Sequence, residues 1–302
     1  MNLDAFLDDV YVPLRLRGRS ENSVRLLRHA IHQFSLHLGR PATLDDLDDL
    51  VVSRFLSARA RTLSPHSVAR ERSGIVALWN LAQARGLVRL RPCVQPEVLP
   101  DRTPRAFTAD ELRQLVAAAR EARGWIGPIP AAVFWEAVIA VGFETGERIS
   151  AILSTPRGGW RSPWLVVPAA VRKGRRRERA YELSPEAAAL VSKVSDHDGP
   201  TVFWWTASTT ALYKRWHVIT RRAGLGDGRD VQFHALRRSL ASHAAAGPGG
   251  VEDASERLGH SSESITRRSY IDPRVAGAGR AKPWEGLPRI LDIDNQGPRA
   301  AG

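Results

Sequence analysis

The chain is poor in features that would each point to a different class of protein. Its single cysteine, Cys93, excludes an intramolecular disulfide and a zinc site built from several cysteines. It has no run of eighteen apolar residues, so the sequence predicts no membrane-spanning helix. The acidic N-terminal segment MNLDAFLDDV lacks the basic start and the apolar stretch of a secretory signal. Together these absences predict a protein of the reducing cytoplasm.

Lysine is also scarce, although the chain is strongly basic. Lysine and arginine number 44 against 32 acidic residues, a formal net charge of +12, and only four of the 44 are lysine. Such an excess favours a polyanionic partner, and nucleic acid is the first candidate. A proteome rich in arginine would produce part of the same excess. With 302 residues, 43% hydrophobic and 25% charged, the chain otherwise suits a globular protein of two domains.

The N-terminal third has helical periodicity. Apolar residues recur at helical spacing after Ser20, after Thr43 and after Pro65, and each of these residues is typical of a helix start. They predict a small helical bundle over residues 1–90. Residues 91–105 contain four prolines and no apolar periodicity, which predicts an extended interdomain linker.

Residues 106–302 are predicted to form a second domain that is mainly α with a small antiparallel β-sheet. A capping box at Thr108 and Glu111 opens its first helix. Two strands are predicted at 164–167 and 180–183, around a basic turn. Further helices are predicted at about 130–143, 185–194, 208–223, 234–246, 251–258 and 263–270.

Lys173 is the most informative single residue. It lies on the predicted basic turn in VRKGRRRER, where its neighbours are mostly arginines. A lysine can give up its proton as a general acid, whereas an arginine keeps its proton in a protein. A patch that only bound phosphate would gain nothing from a lysine here. The alternative is that this lysine stands among the arginines by chance.

Tyrosine is scarce as well, so a tyrosine nucleophile has few candidates. The chain contains only Tyr11, Tyr181, Tyr213 and Tyr270. Tyr181 lies on a predicted strand and Tyr213 within a predicted helix, where packing is the expected role. Tyr270 ends a predicted helix among arginines.

Three further segments carry residues that could bind or act on a phosphate. Arg148 follows a Thr-Gly break at the start of a short helix, where its charge and the free helix amides could act together. His234 and Arg237 are three residues apart and therefore share one helix face. Arg238 is either a second contact or a surface charge, and His260 lies in the loop RLGHSS. Taken singly, each has an ordinary alternative as a structural or surface residue.

Taken in order, these motifs resemble those of the tyrosine recombinase (phage integrase) family. TGERISAIL is similar to the family's first-arginine motif, VRKGRRRER to its lysine hairpin and HALRRSLASH to its His-x-x-Arg motif. RLGHSSESITRRSY is similar to the Leu-Gly-His box followed by the tyrosine helix. The resemblance covers essentially the whole chain. It implies a helical core-binding domain, a linker and a catalytic domain with a C-terminal tail, 271–302.

The resemblance also implies a site and a reaction. Tyr270 would attack the scissile phosphate of double-stranded DNA and form a 3′-phosphotyrosine link, without a metal or cofactor. Two arginines would stabilise the transition state, Lys173 would protonate the leaving 5′-oxygen, and two histidines would orient groups and move protons. Relatives work as four protomers on two duplexes. The implied catalytic set is Arg148, Lys173, His234, Arg237, His260 and Tyr270.

Two positions depart from the family's pattern. The family usually has glutamate three residues after the first arginine, where this chain has Ala151, and histidine is common where it has Arg238. The missing acid leaves open a DNA-binding protein of the same fold with impaired cleavage. A type IB topoisomerase, which uses similar chemistry as a monomer, is the other alternative. The apolar residues after 283 are expected to dock either on their own domain or on a neighbouring protomer.

Overall fold

Local sequence signals determine where the helices of the N-terminal third begin and end. The computed structural model describes residues 1–17, 21–100, 103–172, 177–259, 262–272 and 275–276, and it divides into two units, Met1–Arg102 and Thr103–Gly302. Asp48 caps a helix by accepting from the amides of Leu50 and Val51, and Pro65 stands in the first turn of the next helix. The helices of this unit are α1 (Leu3–Phe6), α2 (Val12–Arg15), α3 (Glu21–Leu38), α4 (Asp49–Ala60) and α5 (Pro65–Ala84).

The first unit is the predicted helical bundle, with two differences of detail. A π-helical turn, Leu7–Tyr11, joins α1 to α2, a region for which no element was predicted. The helix predicted after Thr43 is instead a 3-10 turn, Leu44–Asp46, followed by α4, because Asp48 starts a new helix. Its core is formed by buried side chains that include Phe34, Phe55, Ile75, Leu78 and Trp79.

In the second unit most helices lie where periodicity and caps predict them. The capping box of Thr108 and Glu111 is present at the start of the first helix. One helix, Ala131–Thr145, is buried over most of its surface and is central to the core. The helices are α6 (Ala109–Arg120), α7 (Ala131–Thr145), α8 (Ile149–Leu153), α9 (Pro185–Val194), α10 (Thr209–Arg222), α11 (His234–Ala245), α12 (Gly250–Leu258) and α13 (Glu263–Tyr270).

A small antiparallel sheet lies in the same unit, as predicted, but it has three strands rather than the two expected, and a two-stranded hairpin is also present. Its three strands are neighbours in chain order, and Val167 at the end of one strand faces Arg179 at the start of the next. The prediction of 164–167 is confirmed, and the second predicted strand begins one residue earlier than expected. The strands are β1 (Trp125–Ile126), β2 (Ile129–Pro130), β3 (Trp160–Arg161), β4 (Trp164–Val167) and β5 (Arg179–Glu182).

The proline-rich segment forms neither helix nor strand over residues 91–100. Its beginning is nevertheless attached to the first unit: Val94 is buried there, and the amide of Cys93 donates to Asp49 Oδ1 at 2.7 Å. Residues 95–100 are mostly exposed. Within the described residues, no helix is long and apolar enough to cross a membrane.

Candidate active site

Arg237 is the residue on which the predicted motifs converge. It lies on α11 three residues after His234, so both occupy one face of that helix. Its side chain is buried, and its two terminal nitrogens donate to Gly146 O at 2.5 Å and to Leu258 O at 2.9 Å. One guanidinium thereby joins the loop that carries Arg148 to the end of α12.

Gly146 makes that convergence possible. It ends α7 in a left-handed conformation, with φ of 62°, which glycine adopts without strain. A Cβ at this position would lie 2.7 Å from Leu240 Cδ2, so a larger residue would also force the Leu240 side chain to shift. The turn makes Arg148 the N-cap residue of α8. Arg148 is half-buried there, beside amides that have no helical partner.

Tyr270 ends α13 next to the same guanidinium. Its ring centroid lies 5.4 Å from Arg237 Cζ, so the tyrosine side chain contacts that guanidinium. The ring of His234 lies 5.4 Å from that of Tyr270. Burial lowers the pKa of Arg237 and the charge of Arg148 lowers it further, while Tyr270 raises it. The Arg237 guanidinium remains charged at neutral pH and is shielded from solvent beside the Tyr270 ring.

The backbone that follows the tyrosine is anchored by buried hydrogen bonds. Ser242 Oγ donates to Tyr270 O at 3.2 Å and accepts from the amide of Asp272 at 2.8 Å. The buried carboxylate of Asp272 in turn accepts from the amide of Ala106 at 2.9 Å. The end of the tyrosine helix is therefore tied to α11 and to the first residues of the second unit.

A buried carboxylate that the sequence analysis did not single out lies beside Arg148. Glu147 is only 2% exposed, and its Oε1 accepts from Arg172 Nε at 2.5 Å and from Tyr181 Oη at 2.7 Å. Burial raises the pKa of Tyr181, and the charge of Glu147 raises it further, so this hydroxyl stays protonated and donates. Its position on a predicted strand suggested a packing role alone. Tyr181 also donates a hydrogen bond to a buried carboxylate. In the sequence, the position of Glu147 directly before Arg148 was the signal that could have identified it.

Two members of the predicted set, Lys173 and His260, lie outside the described residues, as does nearly all of the predicted tail, 271–302. Described residues close to each of them in the sequence are hydrogen-bonded to one another. Arg179, at the start of β5, donates to the carbonyls of Glu256 and Arg257 in the last turn of α12. The second strand of the hairpin is therefore joined to the helix that precedes His260.

Arg238, the residue after Arg237, is not a freely solvated charge. It is half-buried, and it donates to Asp230 O at 2.8 Å. Burial lowers its pKa, and the Asp230 carboxylate raises it. The structure thus shows a hydrogen bond of Arg238 within its own domain, and the second phosphate contact at this residue stays a prediction.

The arrangement brings four of the predicted residues together within one unit. Arg148 and Arg237 supply two fixed positive charges, Tyr270 a hydroxyl next to one of them, and His234 an exposed imidazole beside that ring. Paired guanidinium groups bind and stabilise a phosphate that gains negative charge in a transition state. The geometry suits nucleophilic attack by a tyrosine on a phosphodiester.

Comparison with known proteins gives the same family over most of the chain. The family model of the phage integrase family matches residues 105–276. Tyrosine recombinase XerC of Neisseria gonorrhoeae is 26% identical over 286 residues, which cover 87% of this chain and 88% of the relative. Tyrosine recombinase XerD of Mycobacterium tuberculosis is 25% identical over 293 residues, which cover 88% and 91% respectively.

Solved structures share the fold. A lambda integrase tetramer bound to a Holliday junction aligns with a TM-score of 0.69 at 18% identity, over 93% of this chain and 79% of that one. XerH site-specific recombinase bound to its palindromic difH substrate aligns with a TM-score of 0.66 at 16% identity, over 85% and 79%. Since the family model spans more than half of the sequence and the motifs fall in its order, the chain belongs to the phage integrase family of tyrosine recombinases.

Proposed function

We propose that the protein is a site-specific DNA recombinase in which Tyr270 is the nucleophile. The tyrosine oxygen attacks the scissile phosphorus, a bond from phosphorus to the tyrosine forms, and the bond to the 5′-oxygen breaks. The DNA strand is left joined to the protein through a 3′-phosphotyrosine, and a free 5′-hydroxyl is released. Attack by the 5′-hydroxyl of another strand reverses the step, so the covalent link conserves the bond for rejoining.

The observation that carries this proposal is the position of Arg237. It is buried, held by the carbonyls of Gly146 and Leu258, and its Cζ lies 5.4 Å from the centroid of the Tyr270 ring. A guanidinium fixed in this way needs no reorganisation when charge develops on the phosphorus, which is the condition for effective electrostatic stabilisation. Arg148, whose charge acts on Arg237, is proposed as the second clamp on the same phosphate.

The remaining roles are assigned by the family pattern. Lys173 protonates the 5′-oxygen as it leaves, since an ammonium can lose a proton where a guanidinium does not. His234, whose ring lies beside Tyr270, accepts or relays the tyrosine proton. His260 is proposed to orient the phosphate and share in the proton transfers.

Double-stranded DNA is the proposed partner. The net charge of +12 agrees with binding along a phosphate backbone. Because the structurally similar lambda integrase was crystallised as a tetramer on a Holliday junction, we propose that four copies of this chain assemble on two DNA sites. Residues 1–90 would act as the core-binding domain, 91–105 as the linker and 106–302 as the catalytic domain.

The experiment that tests the function is covalent trapping on genomic DNA. Protein–DNA complexes are collected under denaturing conditions and the attached DNA is sequenced, which also identifies the target. We expect the unaltered chain to yield adducts at a defined site, Tyr270→Phe to bind DNA without forming them, and Tyr213→Phe to behave as the unaltered chain. Adducts that persist in Tyr270→Phe would refute the assignment of the nucleophile.

The same site, once known, separates the two alternatives. Exchange of strands between two duplexes that carry the site supports a recombinase. Relaxation of supercoils without exchange would indicate a type IB topoisomerase. Sequence-specific binding without any covalent adduct would indicate a DNA-binding protein whose cleavage activity is lost.

A further inference from the structure

The carboxylate of Glu147 occupies an unusual position. It precedes Arg148 in the chain, is almost fully buried, and is not a member of the proposed catalytic set. A buried carboxylate is costly unless it is paired and hydrogen-bonded. Glu147 meets that condition through three donors, which are Arg172 Nε at 2.5 Å, Tyr181 Oη at 2.7 Å and the amide of Arg148 at 3.3 Å.

These donors come from two sides of the segment that contains Lys173. Residues 173–176, the lysine segment, lie between Arg172 and Arg177 in the sequence. Arg172 binds Glu147 through Nε, and through Nη1 it donates to Arg177 O at 2.9 Å. Tyr181, on β5, binds the same carboxylate oxygen from beyond the segment. Arg172, which precedes the lysine segment, is therefore bonded both to the Glu147 carboxylate and to Arg177, the first described residue after the segment.

The backbone of Glu147 is itself held at the end of α7, directly before Arg148. The amide of Glu147 donates to Thr145 Oγ1 at 3.1 Å, and Thr145 Oγ1 donates to Val141 O at 2.6 Å on α7. The next residue is Arg148, at the N-terminus of α8. Arg172, the residue before Lys173 in the sequence, is therefore held beside the loop that carries the proposed phosphate clamp.

We propose that Glu147 is a positioning residue for DNA cleavage, which acts through Arg172 to hold Lys173 at the leaving 5′-oxygen. The proposal rests on the function given above, in which Lys173 protonates that oxygen. It also accounts for Ala151, a buried alanine in α8 where the family pattern has a supporting acid. In this chain the supporting carboxylate lies on the other side of Arg148, four residues earlier.

The test compares two leaving groups on the DNA site recovered by covalent trapping. Nicked duplexes carry either the natural oxygen or a sulfur as the 5′-bridging atom at the scissile phosphate. A thiol has a pKa of about 8.5, far below that of an alcohol, so sulfur leaves without a general acid. A defect that arises from misplaced Lys173 is therefore rescued by sulfur, and a defect in the phosphate clamp or in the fold is not.

For Glu147→Gln we expect cleavage of the oxygen substrate to fall by about 100-fold, the loss that a shift of about 1 Å in a catalytic group can cause. On the sulfur substrate the rate should return to within a few-fold of that of the unaltered chain. Equal losses on both substrates, or no loss on either, would overturn the proposal.

Two further variants test the route through Arg172. Arg172→Gln should show the same sulfur-rescued defect, and the double variant with Glu147→Gln should be no worse than either single one, because both act in one chain of contacts. Tyr181→Phe removes one hydrogen bond and keeps the ring, so it should give a smaller defect with the same rescue. A double variant with multiplied defects would contradict a shared route.

Glu144→Gln is the matched control. Glu144 is a partly buried glutamate three residues earlier on α7, and its carboxylate accepts from the amide and the hydroxyl of Ser184 rather than from Arg172 or Tyr181. It should cleave both substrates at the rate of the unaltered chain. If the unaltered chain forms no adduct on either substrate, the proposed function fails. If it cleaves normally and only the sulfur rescue of Glu147→Gln is missing, this inference alone fails.

Discussion

Each of the two units contains a buried glutamate paired with an arginine, and the two pairs serve different ends. In the first unit, Glu71 on α5 accepts from Arg59 on α4 at 2.7 and 2.9 Å, so the pair joins two helices of a bundle. In the second unit, Glu147 joins the loop of Arg148 to the two flanks of the lysine segment. The first pair stabilises packing, whereas the second connects residues proposed to act on the same phosphate.

A buried carboxylate that is paired with an arginine does not by itself indicate a functional site. Both glutamates satisfy the same physical requirement, which is to compensate a desolvated carboxylate. What distinguishes them is the identity of the segments that they connect. Variants of the two pairs should therefore be separable by measuring stability and leaving-group dependence in parallel.

The largest effect is expected for Lys173→Arg. Its cleavage defect is the reference with which the variants of Glu147 and Arg172 are compared. Charge is retained but the general acid is lost, so cleavage of the oxygen substrate should fall by about 10²- to 10⁴-fold. DNA affinity should change little, and the sulfur substrate should be cleaved at close to the normal rate. Single-turnover cleavage of both substrates measures this. Equal defects on the two would remove the general-acid role.

The next largest effect is expected at Glu144, whose carboxylate accepts from Ser184 rather than from an arginine. Burial raises the pKa of Glu144 from an ordinary 4.5 to about 7, so the folded chain keeps a proton that the unfolded chain has already lost in this interval. The contribution of Glu144 to stability is full below pH 4.5 and is lost as the pH rises to 7. The loss should be about 3 kcal/mol.

Urea unfolding at pH 5 and pH 8 tests this, with Glu144→Gln as the reference. The free energy of unfolding of the unaltered chain, relative to that of the variant, should decrease from the lower to the higher pH. A difference between the two proteins that is the same at both pH values would show that Glu144 titrates normally in the folded chain.

A smaller effect is expected in the first unit. Glu71→Gln should reduce the free energy of unfolding by about 2 kcal/mol, less than the usual cost of breaking a buried pair, because about a quarter of the Arg59 side chain remains exposed. The ratio of cleavage rates on sulfur and oxygen substrates should stay that of the unaltered chain. Sulfur rescue of Glu71→Gln would erase the distinction between the two pairs.

The smallest effect is expected at the end of the tyrosine helix. Ser242→Ala removes the donor to Tyr270 O and leaves the amide of Asp272 without its acceptor, at a cost of about 1–2 kcal/mol in stability. Adduct formation should slow a few-fold and equally on both substrates, since the nucleophile is affected rather than the leaving group. Ser195→Ala, at an exposed helix end, is the matched control. Selective rescue by sulfur would show that Ser242 acts elsewhere.

Local signals made much of the fold predictable. The helix Pro185–Val194 agrees in both bounds with its prediction, because Ser184 caps it and Pro185 suits its first turn. Strand Trp164–Val167 was equally clear from its short run of bulky apolar residues before a basic turn. The two-residue strands Trp125–Ile126 and Ile129–Pro130 were not predicted, since two residues are too few to show a period.

The candidate site could be predicted as a set of residues but not as a network. Motif order pointed to Arg148, Arg237 and Tyr270, yet the contacts that assemble them join distant positions. Arg237 bonds to a carbonyl 91 residues away, and Arg172 to a carboxylate 25 residues away. No local periodicity encodes such pairings, so Glu147 was passed over. The predictions for Lys173 and His260 concern residues outside those that the structure describes, and they remain predictions.

The central claim is that Tyr270 becomes covalently joined to DNA. The most direct measurement is to trap the complex on the recovered site, digest the protein and the DNA, and locate the nucleotide-bearing peptide by mass spectrometry. We expect a 3′-phosphotyrosine on Tyr270 and unmodified peptides for the other three tyrosines, Tyr11, Tyr181 and Tyr213. A nucleotide attached to any other residue, or to the 5′ end of the strand, would contradict it.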